Sequence, residues 1–346
     1  MTLIYFVLVL GITIFIHELG HFIFAKKAGI YVYEFSLGMG PKIFEFNRKN
    51  DETTYSIRLF PIGGYVSMSG EEVEIDERVP EEQRFQSKTW GQRLLTIVAG
   101  VMFNFLLAIV FLFIVGLVLG VPTNKPIINS LEEDYPIYQT ELEPGDQIIK
   151  INDTKINSVD RMLLELQLNN GKDITMEVIS KDQIKKEVTI TPKKVEENGV
   201  EVYRYGFSLE NNITKGIIPS IKFAFTKTAN LIEQMVVIIK SLVTGKLQLT
   251  ALTGPVGIYS IVGETAQAGF INLVYLTAFL SINVGFINIL PFPAFDGGRL
   301  LFLVIEKIKG SPISTRVENI IHNIGFSLLM LLMILVTYND ILRLLK

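Results

Sequence analysis

Four long stretches without a charged side chain constrain this chain more than any other feature: residues 1–16, 94–124, 265–295 and, apart from His322, 319–339. A helix needs about 20 mainly apolar residues to cross a bilayer. Four spans are therefore expected, the first continuing past His17 to reach that length. Hydrophobic residues make up 49% of the 346 and mean hydropathy is +0.38, which agrees with much of the chain lying in lipid. The first stretch lacks the basic start and small-residue cleavage pattern of a secretory signal, and the apolar residues Phe22 to Ala25 extend it, so it is expected to be a retained helix.

Basic residues beside the spans set the orientation. Lys26 and Lys27 close the first span, Arg84, Lys88 and Arg93 precede the second, and Arg299, Lys307, Lys309 and Arg316 separate the third from the fourth. Those loops are expected in the cytoplasm, with both termini outside a cell's inner (plasma) membrane, although Arg343 and Lys346 oppose this weakly. A net charge of −3 with no evident basic face argues against a general nucleic-acid binder. The absence of cysteine excludes disulfides and thiolate metal sites but leaves the compartment open.

Residues 31–70 alternate apolar and polar positions between glycine and proline breaks, as in Lys42-Ile43-Phe44-Glu45-Phe46 and Tyr55-Ser56-Ile57-Arg58-Leu59-Phe60, which reads as a small β-sheet. The acidic run from Glu71 to Glu82 reads as a solvated loop. Residues 121 to about 210 read as an α+β module with strands at 147–151, 174–179 and 187–190 and a helix near 159–168. After it, Lys222, Glu233 and Lys240 fall on one side of a helix and Ile221, Leu231, Met235, Ile239 and Leu242 on the other. That amphipathic helix is expected either at the membrane surface or against the module, burying the same face in both cases. The fold class is thus an α-helical polytopic membrane protein. Its expected segments are spans over 1–27, 89–120, 265–298 and 317–346; a sheet and acidic loop over 28–88; the module over 121–212; the amphipathic helix and a Gly254-Pro255-Val256-Gly257 segment over 213–264; and a cytoplasmic connection over 299–316.

Two of the three histidines stand in His17-Glu18-Leu19-Gly20-His21. An i, i+4 pair puts both imidazoles on one helix face, about 6 Å apart along the axis, from which both reach one zinc at about 2.1 Å. Glu18 sits one residue round, where a carboxylate can take a proton from water activated at the metal. An ionisable residue in a membrane helix costs about 2.5–3.5 kcal/mol on insertion scales, more than packing alone justifies. A catalytic zinc with two histidines needs a third protein ligand. Asp296 is the candidate, in Asn288-Ile289-Leu290-Pro291-Phe292-Pro293-Ala294-Phe295-Asp296-Gly297-Gly298, where two prolines break the third span; a broken helix in lipid must be satisfied by protein or water. From the residues alone, Asp296 serves equally well as a cap of a helix beginning at Gly297. His322 lacks a partner at i±3 or i±4 and is expected to pack.

His17 to His21 in the first span, with Asn288 to Gly298 late in the chain, resembles the site-2 protease family of intramembrane zinc metalloproteases, and most closely its bacterial branch that cleaves anti-sigma factors. Phe35-Ser36-Leu37-Gly38-Met39-Gly40-Pro41, Pro61-Ile62-Gly63-Gly64-Tyr65-Val66-Ser67-Met68, Gly100-Val101-Met102-Phe103-Asn104 and Gly254 to Gly257 fit the same pattern in the same order. The resemblance tips Asp296 towards a zinc ligand beside His17 and His21, with Glu18 as general base. It implies that Asn104 and Asn288 lie near the active site and position substrate, that Gly63 and Gly64 belong to a membrane-reentrant β-loop on the cytoplasmic side that pairs with substrate, and that the module is a single extracytoplasmic PDZ-like domain. Thr140-Glu141-Leu142-Glu143 before Pro144-Gly145-Asp146 departs from the family's usual residues there and puts binding of a peptide terminus in doubt. The implied partners are membrane lipid, single-span membrane proteins shortened by an upstream site-1-type protease, and remnant signal peptides. Two competing readings are a membrane-anchored binding protein with a vestigial metal site, marked by bound zinc without proteolysis, and a metal or ion carrier, marked by zinc flux.

Overall fold

The computed structural model describes residues 1–49, 51–71, 76–197 and 200–344. Residues 72–75 of the acidic run and Lys346 fall outside these. The chain forms two compact units, residues 1–115 with 249–346, and residues 116–248.

In the first unit, helix α1 (Thr2–Lys27) leads into strands β1 (Val32–Asn47) and β2 (Thr54–Met68). The two strands are long enough to bend, and the first half of β1 pairs on both sides, Leu37 with Gly64 and also with Ile57. The outer half of β1 then pairs with the first half of β2, Phe46 with Tyr55. The half of β2 from Gly64 to Met68 therefore has one bonded edge, on β1, and one edge unpaired among the described residues. Helix α2 (Trp90–Leu119) follows and crosses from this unit into the second.

The second unit opens with β3 (Val121–Pro122), β4 (Ile128–Leu131), β5 (Gln147–Ile151), β6 (Thr154–Lys155), α3 (Val159–Leu168), β7 (Ile174–Ile179) and β8 (Lys185–Ile190). Strands β6-β5-β7-β8 form one antiparallel sheet, whose alternation buries Ile174, Met176 and Val178 against Ile148, Ile151 and Met162. Shorter strands β9 (Lys193–Glu197), β10 (Val200–Arg204), β11 (Phe207–Leu209) and β12 (Ile213–Thr214) precede α4 (Ile217–Val243).

Helix α4 is the expected amphipathic helix. Ser220, Ala224, Thr228 and Leu231 are among its buried residues, while Lys227 bonds Asp160 at 2.6 Å and Gln234 donates to the Asp160 carbonyl. The large apolar residues Ile218, Ile221, Phe225 and Val236 stay exposed. Polar contacts to Asp160 tie the helix to the module, and part of its aliphatic face is exposed.

Back in the first unit, the segment after α4 holds a second helix, α5 (Pro255–Gln267), followed by α6 (Phe270–Ile289), α7 (Asp296–Lys309) and α8 (Thr315–Leu344). The third uncharged stretch is thus the end of α5, the whole of α6 and a non-helical connection. The buried Asp340 of α8 accepts the Gly257 N–H at 2.8 Å and so caps α5 from outside, where the helix dipole favours a carboxylate. A Cβ at Gly254 would lie 2.8 Å from that carboxylate. Phe6 and Val9 of α1 pack with Val262, Leu273, Leu276 and Leu280; Ala25, Ile30, Val32, Met68, Ile97 and Leu303 form a second cluster at the other end of α1. Helices α1, α2, α6 and α8 are each long and apolar enough to cross a membrane.

Candidate metal centre

Helix α1 brings His17 and His21 to one face because they are i and i+4, and α2 crosses it there at backbone contact. A Cβ at Gly20 would lie 2.5 Å from the Ala99 carbonyl oxygen, and one at Gly100 would lie 2.3 Å from His21 Nε2 and 2.7 Å from His17 Cε1. Small residues allow this approach, and any larger residue at position 100 would fill the space the imidazoles occupy.

Each ring is fixed through its other nitrogen. His21 Nδ1 lies 2.8 Å from the Thr96 carbonyl, to which it donates. His17 Nδ1 lies 3.2 Å from Asn104 Nδ2, and Asn104 is held by Ser281, whose hydroxyl donates to its backbone carbonyl at 2.9 Å. With Nδ1 engaged on both rings, both Nε2 atoms are free to face one point. They stand 3.2 Å apart.

Asp296 completes the triangle. Its Oδ2 is 3.1 Å from His17 Nε2 and 3.2 Å from His21 Nε2, and this buried oxygen has no conventional hydrogen-bond partner among the described residues. Ligands at about 2.0–2.2 Å from a tetrahedral zinc stand about 3.3–3.5 Å from one another, so two imidazoles and one carboxylate at these separations fit such an ion. The three form the group of ligand atoms able to hold a metal among the described residues. Asp296 is the first residue of α7 and Phe295 its N-cap, with no side-chain capping bond; the carboxylate is turned towards the histidines instead. The helix can begin so abruptly because Gly297 lies against the last carbonyls of α6: a Cβ there would be 2.1 Å from the Leu290 oxygen.

A cavity of about 470 Å³ opens on this triangle, with Glu18 in its wall beside Tyr65, Val66 and Met68 of β2. A Cβ at Gly64 would come within 3.3 Å of Glu18 Cγ, so the face of β2 at Gly64 packs against Glu18. Tyr65 is anchored on the sheet, its hydroxyl donating to Glu34 at 2.8 Å while Arg58 bonds the same carboxylate. Burial and the Glu34 carboxylate push the Tyr65 phenol up to about 12, so it stays a hydrogen-bond donor. Arg299, three residues after Asp296, pairs with Glu71 just past β2, at the cavity wall.

The remaining expected residues fall differently. Gly63, at φ 99°, abuts the Met39 side chain. Asn104 is wholly buried and lies behind His17, which leaves no surface for the substrate contact expected of it. Asn288, in the last turn of α6, is half-buried and is not among the residues lining this cavity. His322, expected only to pack, lines the cavity, and its Nδ1 accepts the Ala294 N–H at 3.1 Å; Glu318, one turn earlier, comes within 3.9 Å of its other nitrogen. Its rarity as an intramembrane histidine was a usable signal. Thr96 left none, because its part is played by a main-chain carbonyl that any residue carries.

Known proteins resemble the chain over nearly its whole length. The model described as peptidase family M50 matches residues 5–332. The chain is 36% identical to the zinc metalloprotease RasP of Bacillus licheniformis and 34% identical to the regulator of sigma-W protease RasP of Bacillus subtilis, with 99% of each chain covered in both cases. The first of these alignments runs over 420 positions, at least 74 more than this chain has residues. A Clostridium acetobutylicum protein, 36% identical, aligns over 335 residues covering 97% of this chain and 96% of its own.

Proposed function

This chain belongs to peptidase family M50 and is an intramembrane zinc metalloprotease, and we propose that His17, His21 and Asp296 are its zinc ligands and Glu18 its general base. The observation that carries the assignment is convergence: three ligand atoms within 3.2 Å of one another, from the two ends of the chain, in one cavity with a carboxylate. Zinc held there supplies Lewis acidity that polarises a carbonyl and acidifies water. Glu18 takes the proton of the attacking water and passes it to the leaving amine. Thr96 and Asn104 orient the imidazoles through Nδ1, and with Nε2 turned to the metal the His17 Nδ1–H needs an acceptor, so the Asn104 amide turns over to present its oxygen in place of the Nδ2 that faces the ring.

A peptide bond in a membrane helix is hidden by its own hydrogen bonds. The free edge from Gly64 to Met68 offers replacement bonds to an unwound substrate segment, laid alongside Glu18. The exposed Ile43, Phe44, Phe46, Ile57 and Leu59 on the outer part of the same strands suit a sheet that dips into lipid from the cytoplasmic side, with the active site towards that face and both termini outside.

The substrates in this reading are single-span membrane proteins, such as anti-sigma factors already shortened by an upstream protease, or remnant signal peptides. The module, residues 121–212, acts as an extracytoplasmic PDZ-like domain that excludes intact substrates by size. Its Pro144-Gly145-Asp146 turn is committed internally: Gly145 N–H donates to the Ile128 carbonyl at 2.7 Å, and the buried Asp146 accepts from the Glu143 N–H and Lys186. Those groups are not free to receive a peptide terminus. The test compares membrane proteomes of cells carrying the native chain and Glu18→Gln. Short-ectodomain fragments should accumulate with the variant; identical proteomes would overturn the reading.

A further inference from the structure

The last span grips the loop that carries Asp296 at two points one helical turn apart. At the first, His322 Nδ1 accepts the Ala294 N–H at 3.1 Å. Ala294 is held at φ 85°, a left-handed conformation rare for a residue with a side chain, and it follows Pro293, which has no N–H to give. At the second, Gly325 lies against the Pro293 backbone: a Cβ there would come within 2.4 Å of Pro293 Cβ and 2.5 Å of its carbonyl oxygen. Asp296 lies two residues beyond Ala294.

The protonation of His322 follows from this bond. A ring nitrogen that accepts an N–H carries no proton, so the proton sits on Nε2. That nitrogen is buried, with no hydrogen-bond partner among the described residues and the Glu318 carboxylate 3.9 Å away. An apolar ring would fill the same space but leave the Ala294 N–H without this acceptor, so the bond, not packing, accounts for a histidine here.

We infer that His322 is a positioning residue for the metal centre: with Gly325 it clamps the Pro293–Ala294 backbone, holds Ala294 left-handed and thereby sets where the Asp296 carboxylate meets His17 and His21. The inference rests on Asp296 being a ligand. The clamp gives a half-buried loop that has lost helical bonding an acceptor on a neighbouring helix, which hydrocarbon cannot supply.

The test uses the full-length protein, purified in detergent and loaded with cobalt(II), whose visible absorption reports ligand geometry, together with chelator competition for metal affinity. Asp296→Ala should abolish the native spectrum; if it does not, the ligand assignment itself falls. His322→Phe, which keeps the ring but not the acceptor, should change the spectrum and weaken metal binding by about 10–100-fold, the range for outer-shell partners. His322→Asn, whose oxygen can take the place of Nδ1, should restore both. Gly325→Ala should alter the spectrum as His322→Phe does. A native spectrum and affinity in His322→Phe, with Asp296→Ala defective, would overturn the clamp and leave the ligands standing. So would His322→Asn being as defective as His322→Phe while circular dichroism shows both folded.

Discussion

His17 and His21 reach the centre of the site from a single helix, whereas Asp296 reaches it from a six-residue break between two helices, and the two arms are made rigid in different ways. The α1 arm is set by the 3.6-residue period and by backbone contact with α2 at Gly20, Ala99 and Gly100. Its histidines are then turned by one carbonyl and one carboxamide. The Asp296 arm has no helical period to rely on. It is placed by a left-handed Ala294, by Gly297 tucked under the end of α6, and by contacts from α8. One arm is stiff because of what it is, the other because of what surrounds it.

The largest effects should separate chemistry from ligation. Glu18→Gln should lower cleavage of a membrane-helix substrate by about 10²–10⁴-fold with zinc stoichiometry unchanged by elemental analysis, since Glu18 lies beside the ligand triangle; undiminished turnover would remove it as the base. Asp296→Ala should lower zinc content itself, and native stoichiometry would move the third ligand elsewhere. Next comes the stiffness of the α1 arm. Gly100→Ala puts a methyl group where the imidazoles stand, so it should cost about 1–3 kcal/mol of stability as well as metal, read as a lower melting temperature that added zinc recovers only in part. Full recovery by zinc would mean that the α1–α2 contact is softer than the close approach implies.

A smaller effect distinguishes the strand edge from both arms. Proline at positions 63 and 64 removes edge N–H groups, so cleavage should fall while zinc content stays native; normal cleavage would count against substrate pairing on β2. The smallest effect concerns the sheet that carries this edge. Burial alone would raise the Glu34 carboxyl, but hydrogen bonds from Ser56, Tyr65 and Arg58 outweigh it and hold it below its ordinary range. Stability from that group is complete above the unfolded value of about 4.3 and is lost as pH falls through the lower folded value. Glu34→Gln should therefore flatten the acid limb of a melting-temperature profile; an unchanged limb would exclude Glu34 as a contributor.

Much of the α1 arm was legible in the sequence because its geometry is local. Two histidines four residues apart on an apolar helix face one way wherever that helix is placed, and Glu18 is carried with them. The same holds for the four long apolar helices and for the alternation that makes β1 and β2, since length and period are properties of consecutive residues. The Asn104 carboxamide was foreseen near the site but assigned to substrate, because proximity in a motif does not tell which side of an imidazole a group occupies. The aliphatic face of α4 was left open between the membrane surface and the module, because periodicity separates two faces of a helix without saying what covers either.

What the sequence alone determined, then, is the membrane-spanning class and the His17-Glu18-His21 face, both consequences of spacing along one helix. Only the tertiary structure decided between Asp296 as cap and Asp296 against the histidines, brought Gly64 to Glu18, and joined His322 to the loop. Each of these turns on residues far apart in the chain, whose separation is set by how closely two backbones can approach, and that is decided by the residues of both partners at once.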